Sequence, residues 1–418
     1  MPTNFHLEAV PPITGDEHAD IFLDALSIAI GYASPPAPDP RGVSLFDCLS
    51  GFTGRGWLVG FDEAGYYWER HGLENPRSDF ACSSLEAYLS QGDTMVDAFR
   101  FVERAPEFLW NEACTYPVDP AQSASFRAMA QSTDAAGVRQ FVAEHLEARG
   151  CPVVALMNVP GAGPDMCLLT GYEDGGTVAL GRALLQRPCM DNSGPFGYFR
   201  LPDWEREVLA IIGIGGEVKT EWDKHPCFLA LGNGLKCGRS YSEGTRHYGL
   251  NAYDAWELAL LDDDCIEGVD DATLGRRLFY HSAVAGSIAC QKAFTALPDC
   301  GGAAAMGVIS GLVQRAQAGA GMIHGLMWDV WQAVGGFWRG VEQSDEPPFH
   351  RWAGAEELAR FRDRSVRDRA AAVIRRARRT DEESLRDMAE ARDDWERCVG
   401  HGSAHPCPCW GDSVCARV

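Results

Sequence analysis

Between residues 151 and 215 the chain carries four short apolar runs, CPVVALMNV, MCLLTGY, GTVALG and VLAIIGIG, set apart by segments rich in Gly, Pro, Asp or Asn. Such runs are too short to bury one face of a helix, and their Val, Ile and Leu content suits a pleated surface. The spacing predicts four strands, and any fold of this chain must be built around the sheet they make. After about residue 222 the apolar positions recur at helical spacing instead, through NAYDAWELALL, DATLGRRLFYHSAVAGSIACQKAF, the small-residue region at 301–338 and AEELARFRDRSVRDRAAAVIRRA. Strands and helices are segregated along the sequence, which makes the chain α+β rather than alternating βαβ.

Shorter signals fill in the order. DIFLDALSIAIGY at 20–32 reads as a helix entered through acidic residues, and SPPAPDPRG at 34–42 forbids regular structure. WLVGFDEAGYYWE at 57–69 reads as a strand pair around Asp62 to Gly65. Residues 134–149 read as a helix stopped by Gly150. Thr380 with Glu383 fits a capping box that opens a last helix, and GNGLKCG at 232–238 reads as a glycine-rich turn in a linker. The expected division is an α+β domain over 1–220, a helical region over 221–397 packed on it, and a Cys/His-rich tail over 398–418.

Totals narrow the function. A formal charge of −22 over 418 residues repels phosphate backbones, so nucleic acid is not an expected partner. The arginine-dense stretch 360–379 alternates with Asp363 and Asp368 and reads as a solvated helix face. Gln314, Arg315, Gln317 and His324 interrupt the longest apolar stretch, so no membrane span is expected. The first twenty residues lack a basic segment followed by an apolar one, from which a cytoplasmic location is expected. The 15 cysteines are odd in number, scattered and often in apolar context, as reduced core thiols would be. No P-loop, HExxH, GxSxG or EF-hand pattern occurs, and no cofactor is expected. DDDC at 262–265 and VDDA at 269–272 read as loop and helix-entry charge, and the isolated histidines as hydrogen-bonded structural residues. In the tail, Cys398, His401, His405, Cys407, Cys409 and Cys415 are the ligand types zinc prefers. Their spacing is not a repeated CxxC, and Pro406 and Pro408 stiffen the turn that would wrap the ion, so no metal is expected there.

Five pieces in order, FLDALSIAIGY (22–32), LFDCLSGFTGRGW (45–57), RGCPVVALMNVPGAGPDMCLLTGYEDGG, YFRLPDWEREVLAIIGIG (198–215) and GLNAYDAWELAL (249–260), resemble bacterial relatives of papain-like folds. These are the bacteriocin-leader-peptidase-like group and the N-terminal domain of butirosin-biosynthesis-type acyltransferases. The resemblance covers about residues 16–262 and implies a papain-like α+β domain. Catalytic members carry a nucleophilic Cys at the start of the first helix and a His at the start of the strand that ends in Gly-Tyr-Asp, because a thiol needs an imidazole or a helix N-terminus to become a thiolate. Aligned on Leu26, Ile21 stands at the nucleophile position; counted back from Gly171 and Tyr172, Asp165 stands at the histidine position. An ionised carboxylate is a poor base for a thiol and opposes a thiolate nearby.

The resemblance therefore implies a catalytically silent protein that binds a small molecule or peptide in the former cleft, with Asn158, Asp165 and Tyr172 beside one strand pair. Cys167, two residues past Asp165, is expected on the same face as that carboxylate, its thiol harder to ionise. An alternative is a cysteine-dependent hydrolase or acyltransferase using Cys48 or Cys82, the latter at an expected helix N-terminus. A third is an interaction protein that works through its helical half, where a second copy of the chain is the expected partner.

Overall fold

The computed structural model describes residues 2–13, 20–33, 44–71, 92–116, 120–159, 163–184, 186, 190–219, 226–293, 295–297, 307–334 and 354–399. Among them the four expected strands form as β5 (Val153–Val159), β6 (Gly163–Glu173), β7 (Val178–Ala183) and β9 (Val208–Glu217). Four further strands complete the sheet: β1 (Phe5–His6), β3 (Arg104–Asn111), β4 (Gln131–Thr133) and β8 (Phe199–Pro202). The order is β4-β3-β9-β5-β6-β7-β8, with β1 paired to β6; β3–β4 is parallel and the other pairings are antiparallel. β2 (Gly60–Asp62) lies outside it.

Helices cover both faces of this sheet. On one side lie α1 (Ile21–Ala33), α2 (Leu45–Thr53), α4 (Gly92–Phe101) and α5 (Pro120–Met129); α1 packs on α2, and α2 on α4. Phe108 of β3 pairs with Ile212 of β9 and meets the rings of Phe99 at 6.0 Å and Phe126 at 5.3 Å, which fixes that face. On the other side lies α6 (Ala135–Arg149), ended by left-handed Gly150 as its sequence indicated, and started by the Asp134 carboxylate on the Gly137 amide. Glu107, one residue before Phe108, points that way and holds Arg149 of α6 at 2.7 Å. A Cβ on its cross-strand partner Gly213 would collide with His145 and Phe141 of α6, so a larger residue there would push those side chains aside.

The second half is mainly helical: α7 (Pro226–Cys237), α8 (Leu250–Leu260), α9 (Asp271–Ala293), α10 (Gly307–Val334), α11 (Ala355–Arg362) and α12 (Arg364–Val399). Several expectations change here. Only Gly60–Asp62 of the 57–69 segment is strand. Asp62 then turns its carboxylate onto the Ala64 amide at 3.0 Å and starts α3 (Glu63–Tyr66), a local side-chain cap winning over β propensity. GNGLKCG is the end of α7 rather than a linker turn; a Cβ on Gly234 would run into Trp57 and Met388, so close packing offsets the helical cost of glycine. Thr380 lies inside α12, its hydroxyl bonded back to Arg376 O at 3.1 Å, and caps nothing. A hairpin of β10 (Tyr241–Glu243) and β11 (Arg246–Tyr248), with β2 on its far side, interrupts the helices. Within the arginine-dense stretch, Arg367 is buried rather than solvated. The large sheet ends with β9, while Trp57, Val59, Phe61 and Tyr66 join the apolar cores built with the later helices.

Candidate functional site

At the N-terminus of α1, where the resemblance sets a nucleophile, half-buried Ile21 is flanked by Asp20. Asp20 Oδ1 accepts from the Leu23 amide at 2.9 Å, and Oδ2 accepts from Arg55 Nε at 2.8 Å, both side chains being buried. The helix terminus that would stabilise a thiolate already holds a carboxylate, and that carboxylate already holds a guanidinium.

Strand pairing decides what faces this helix. Asp165 pairs with Met157 and Cys167 with Ala155; Ala155 pairs with Ile211, which lies two residues from Gly213. Asp165 and Cys167 therefore share the α6 face, whereas α1 packs on the opposite one. Asp165 is buried, its Oδ1 accepting from the Met166 amide at 2.8 Å. Burial, and then the Asp165 charge, push the Cys167 thiol well up from its ordinary value, the direction the sequence indicated. Asn158 belongs to the face opposite Met157 and Asp165 and donates to Glu207 Oε2 at 2.7 Å. Tyr172 lies beyond a register shift in β6; its hydroxyl bonds Glu147 of α6, and its ring stacks on Phe5 at 6.2 Å. All three residues stand on the β5–β6 pair, but Asn158 and Asp165 do not share a face.

Cys48 is buried in α2, whose N-terminus is closed by a Ser44–Asp47 capping box. Cys82 and the tail residues His401, His405, Cys407, Cys409 and Cys415 lie outside the described residues, as does the side chain of Cys398 at the end of α12. Among the described residues no group of three His, Cys, Asp or Glu side chains is placed to hold a metal. His145 bonds Phe141 O, His324 bonds Ala289 O, and His281 accepts from Trp256.

The unexplained chemistry lies in the helical half. Arg277 and His281 stand one turn apart on α9, Tyr66 on α3 has its ring 4.8 Å from His281, and Arg367 enters from α12. All four are buried. The two guanidinium groups each reach a carboxylate, Arg277 to Glu69 at 3.1 Å and Arg367 to Asp263 at 2.8 Å, and each also bonds a backbone oxygen, Cys265 O and Leu260 O. Their Nε atoms, the Tyr66 hydroxyl and His281 Nε2 find no partner. Trp256 Nε1, a donor only, lies 2.9 Å from His281 Nδ1, so the proton of the neutral ring sits on Nε2. Four buried donors thus lack acceptors around one aromatic cluster, where each orphan costs on the order of 1–3 kcal/mol. Burial, with Arg367 and Arg277 adding to it, pushes His281 down to about 3, and burial raises the Tyr66 phenol far above its usual range. Sequence reasoning missed this group because its members are spread from residue 66 to 367 and no local pattern joins them.

Comparison of the chain with protein-family models, with curated proteins and with solved structures gives no match. No helix among the described residues is long and apolar enough to cross a membrane.

Proposed function

We propose that this chain is a relative of papain-like-fold proteins, catalytically silent in their cysteine chemistry, that works by binding a small molecule bearing a carboxylate or phosphate. The observation that carries the binding is the set of four buried donors without acceptors, at Tyr66, Arg277, His281 and Arg367. An oxyanion accepts several N–H and O–H bonds at once and would satisfy what the protein leaves open. Silence is supported at α1, where Asp20 and Arg55 occupy the position a thiolate would need. It is also supported on β6, where Asp165 and the hard-to-ionise Cys167 lie on the α6 face. The cysteine-dependent alternative through Cys48 or Cys82 has no comparable support; Cys48 is buried beside a helix terminus already capped by Ser44 and Asp47.

The test is thermal unfolding of the full chain against a panel of small carboxylates and phosphates. A saturable rise in Tm is expected for at least one, because a ligand bound only to the folded state stabilises it. Tyr66→Phe combined with Arg277→Met should weaken that ligand at least tenfold. No rise with any compound, or a rise unchanged in the double variant, counts against the reading.

A further inference from the structure

Away from that cluster, the β10–β11 hairpin brings three chemically complementary side chains together. Ser242 and His247 are direct cross-strand partners, and Ser242 Oγ lies 2.9 Å from His247 Nδ1. The other ring nitrogen, Nε2, lies 3.2 Å from Glu63 Oε1, an ion-pair distance at which the two are not aligned as a hydrogen bond. A cross-strand Ser–His contact alone is an ordinary polar pair. Here the imidazole also has a carboxylate behind it, and a third group, Asn251 Nδ2 at 3.2 Å, is aimed at the serine oxygen. We propose that Ser242, His247 and Glu63 form a nucleophile–base–acid relay that hydrolyses small carboxylic esters at the protein surface.

The surroundings hold these groups in place. Asp62, next to Glu63, has its amide and carbonyl bonded to the hydroxyl of buried Tyr280 at 3.2 and 2.7 Å, and its carboxylate accepts from Thr245 in the hairpin turn at 3.1 Å. The Glu63 amide donates to Thr245 O at 2.8 Å. At the other end Ser240 Oγ accepts from the Leu250 amide at 3.0 Å, which ties the hairpin to the first turn of α8. Gly249 between them has φ +59°, and a Cβ there would strike Gly238 and Arg239, so the docking depends on glycine. Ser242 is exposed, which an attacking hydroxyl requires. The neighbours on its face, Asn251, His247 and Glu63, are polar, which suits a short acyl chain rather than a long one.

The chemistry balances with water as the only co-reactant. Ser242 Oγ attacks the ester carbonyl carbon while its proton passes to His247 Nδ1, and the Glu63 carboxylate stabilises the resulting imidazolium. Asn251 Nδ2 donates to the carbonyl oxygen as it takes up charge, a contribution that in other enzymes is worth about 10²–10³ in rate. The alkoxide leaves with the proton from Nδ1, giving an acyl-serine and a free alcohol. Water then attacks the acyl-serine by the same proton path, releasing the acid and restoring Ser242.

The experiment combines hydrolysis of p-nitrophenyl acetate by the full chain with labelling by a fluorophosphonate probe and peptide mapping. The expected result is turnover above that of heat-denatured protein and a phosphonyl adduct on Ser242. Ser242→Ala should abolish both, and Glu63→Gln should lower turnover by about tenfold with the Tm of each variant kept. Turnover no greater than that of denatured protein, activity retained by Ser242→Ala, or an adduct on another residue would each overturn the proposal. None of these outcomes touches the binding reading, which is scored by ligand stabilisation.

Discussion

Trp256 donates its indole N–H to His281 Nδ1, and this one bond commits the imidazole to its neutral form. A free histidine titrates near 6.5, whereas burial and two neighbouring arginines bring His281 down to about 3. As pH falls below about 6.5 the unfolded chain takes up a proton that the folded chain refuses until about 3, so stability is whole above that window and drains across it by about 1.4 kcal/mol per pH unit. His281→Gln, whose amide oxygen can still accept from Trp256, should remove this component. Urea unfolding at pH 6.5 and 4.5 should show the wild type losing roughly 2–3 kcal/mol more than the variant; equal losses would contradict the assignment. The Asp20–Arg55 pair gives a second expectation. Arg55→Met leaves a buried carboxylate with its helix amide but without its cation, and should cost about 3–5 kcal/mol in the same assay, against under about 1 kcal/mol for the exposed Arg397→Met.

At the scale of elements, the sheet and the order of the main helices were legible because their signals are local. Four apolar runs gave four strands, and Gly150 ended α6 as a C-terminal glycine should. What misled was also local. Thr380 and Glu383 match a capping box in letters, yet the helical periodicity runs straight through them. The aromatic run at 57–69 looks like strand until Asp62 caps α3. β3, β4 and β8 were invisible because RAPEFLWN, QST and FRLP mix polar and apolar residues, and only the neighbouring strands make them strands. Faces of the sheet were the main loss. Asp165 follows the alternation as expected, but which helix covers its face depends on β5–β9 and β3–β9 pairings that no single segment encodes. This layering makes a direct prediction. Gly213→Ala should destabilise the α6 contact by roughly 1–3 kcal/mol, whereas Gly216→Ala on the same strand, where a Cβ meets nothing, should stay within about 0.5 kcal/mol.

Over the whole molecule, residues 57–66 tie the two halves together. They leave the sheet domain after α2, supply Trp57, Phe61 and Tyr66 to the cores of the helical half, and carry both Glu63 and Tyr66. The proposed binding cluster and the Ser242 relay therefore share α3, one at each end. Neither was legible in the sequence, since Ser242 and His247 meet only when Gly244 and Thr245 turn the hairpin, and the four donors only when α3, α9 and α12 pack. The position that the resemblance made most legible, the start of α1, carries the central claim of the proposal: where the resembled family would hold a thiol, this chain holds the Asp20–Arg55 pair. The most direct measurement is iodoacetamide labelling of the native full chain at pH 6, followed by peptide mapping of its cysteines. Cys265 has Arg70 at 3.0 Å, yet burial and its bond to Asp262 push its thiol up to about 11, and burial and Asp165 hold Cys167 high as well, so every cysteine should label no faster than a free-thiol reference. Stoichiometric labelling of Cys48 or Cys82 well ahead of that reference would contradict the claim and restore a cysteine enzyme in its place.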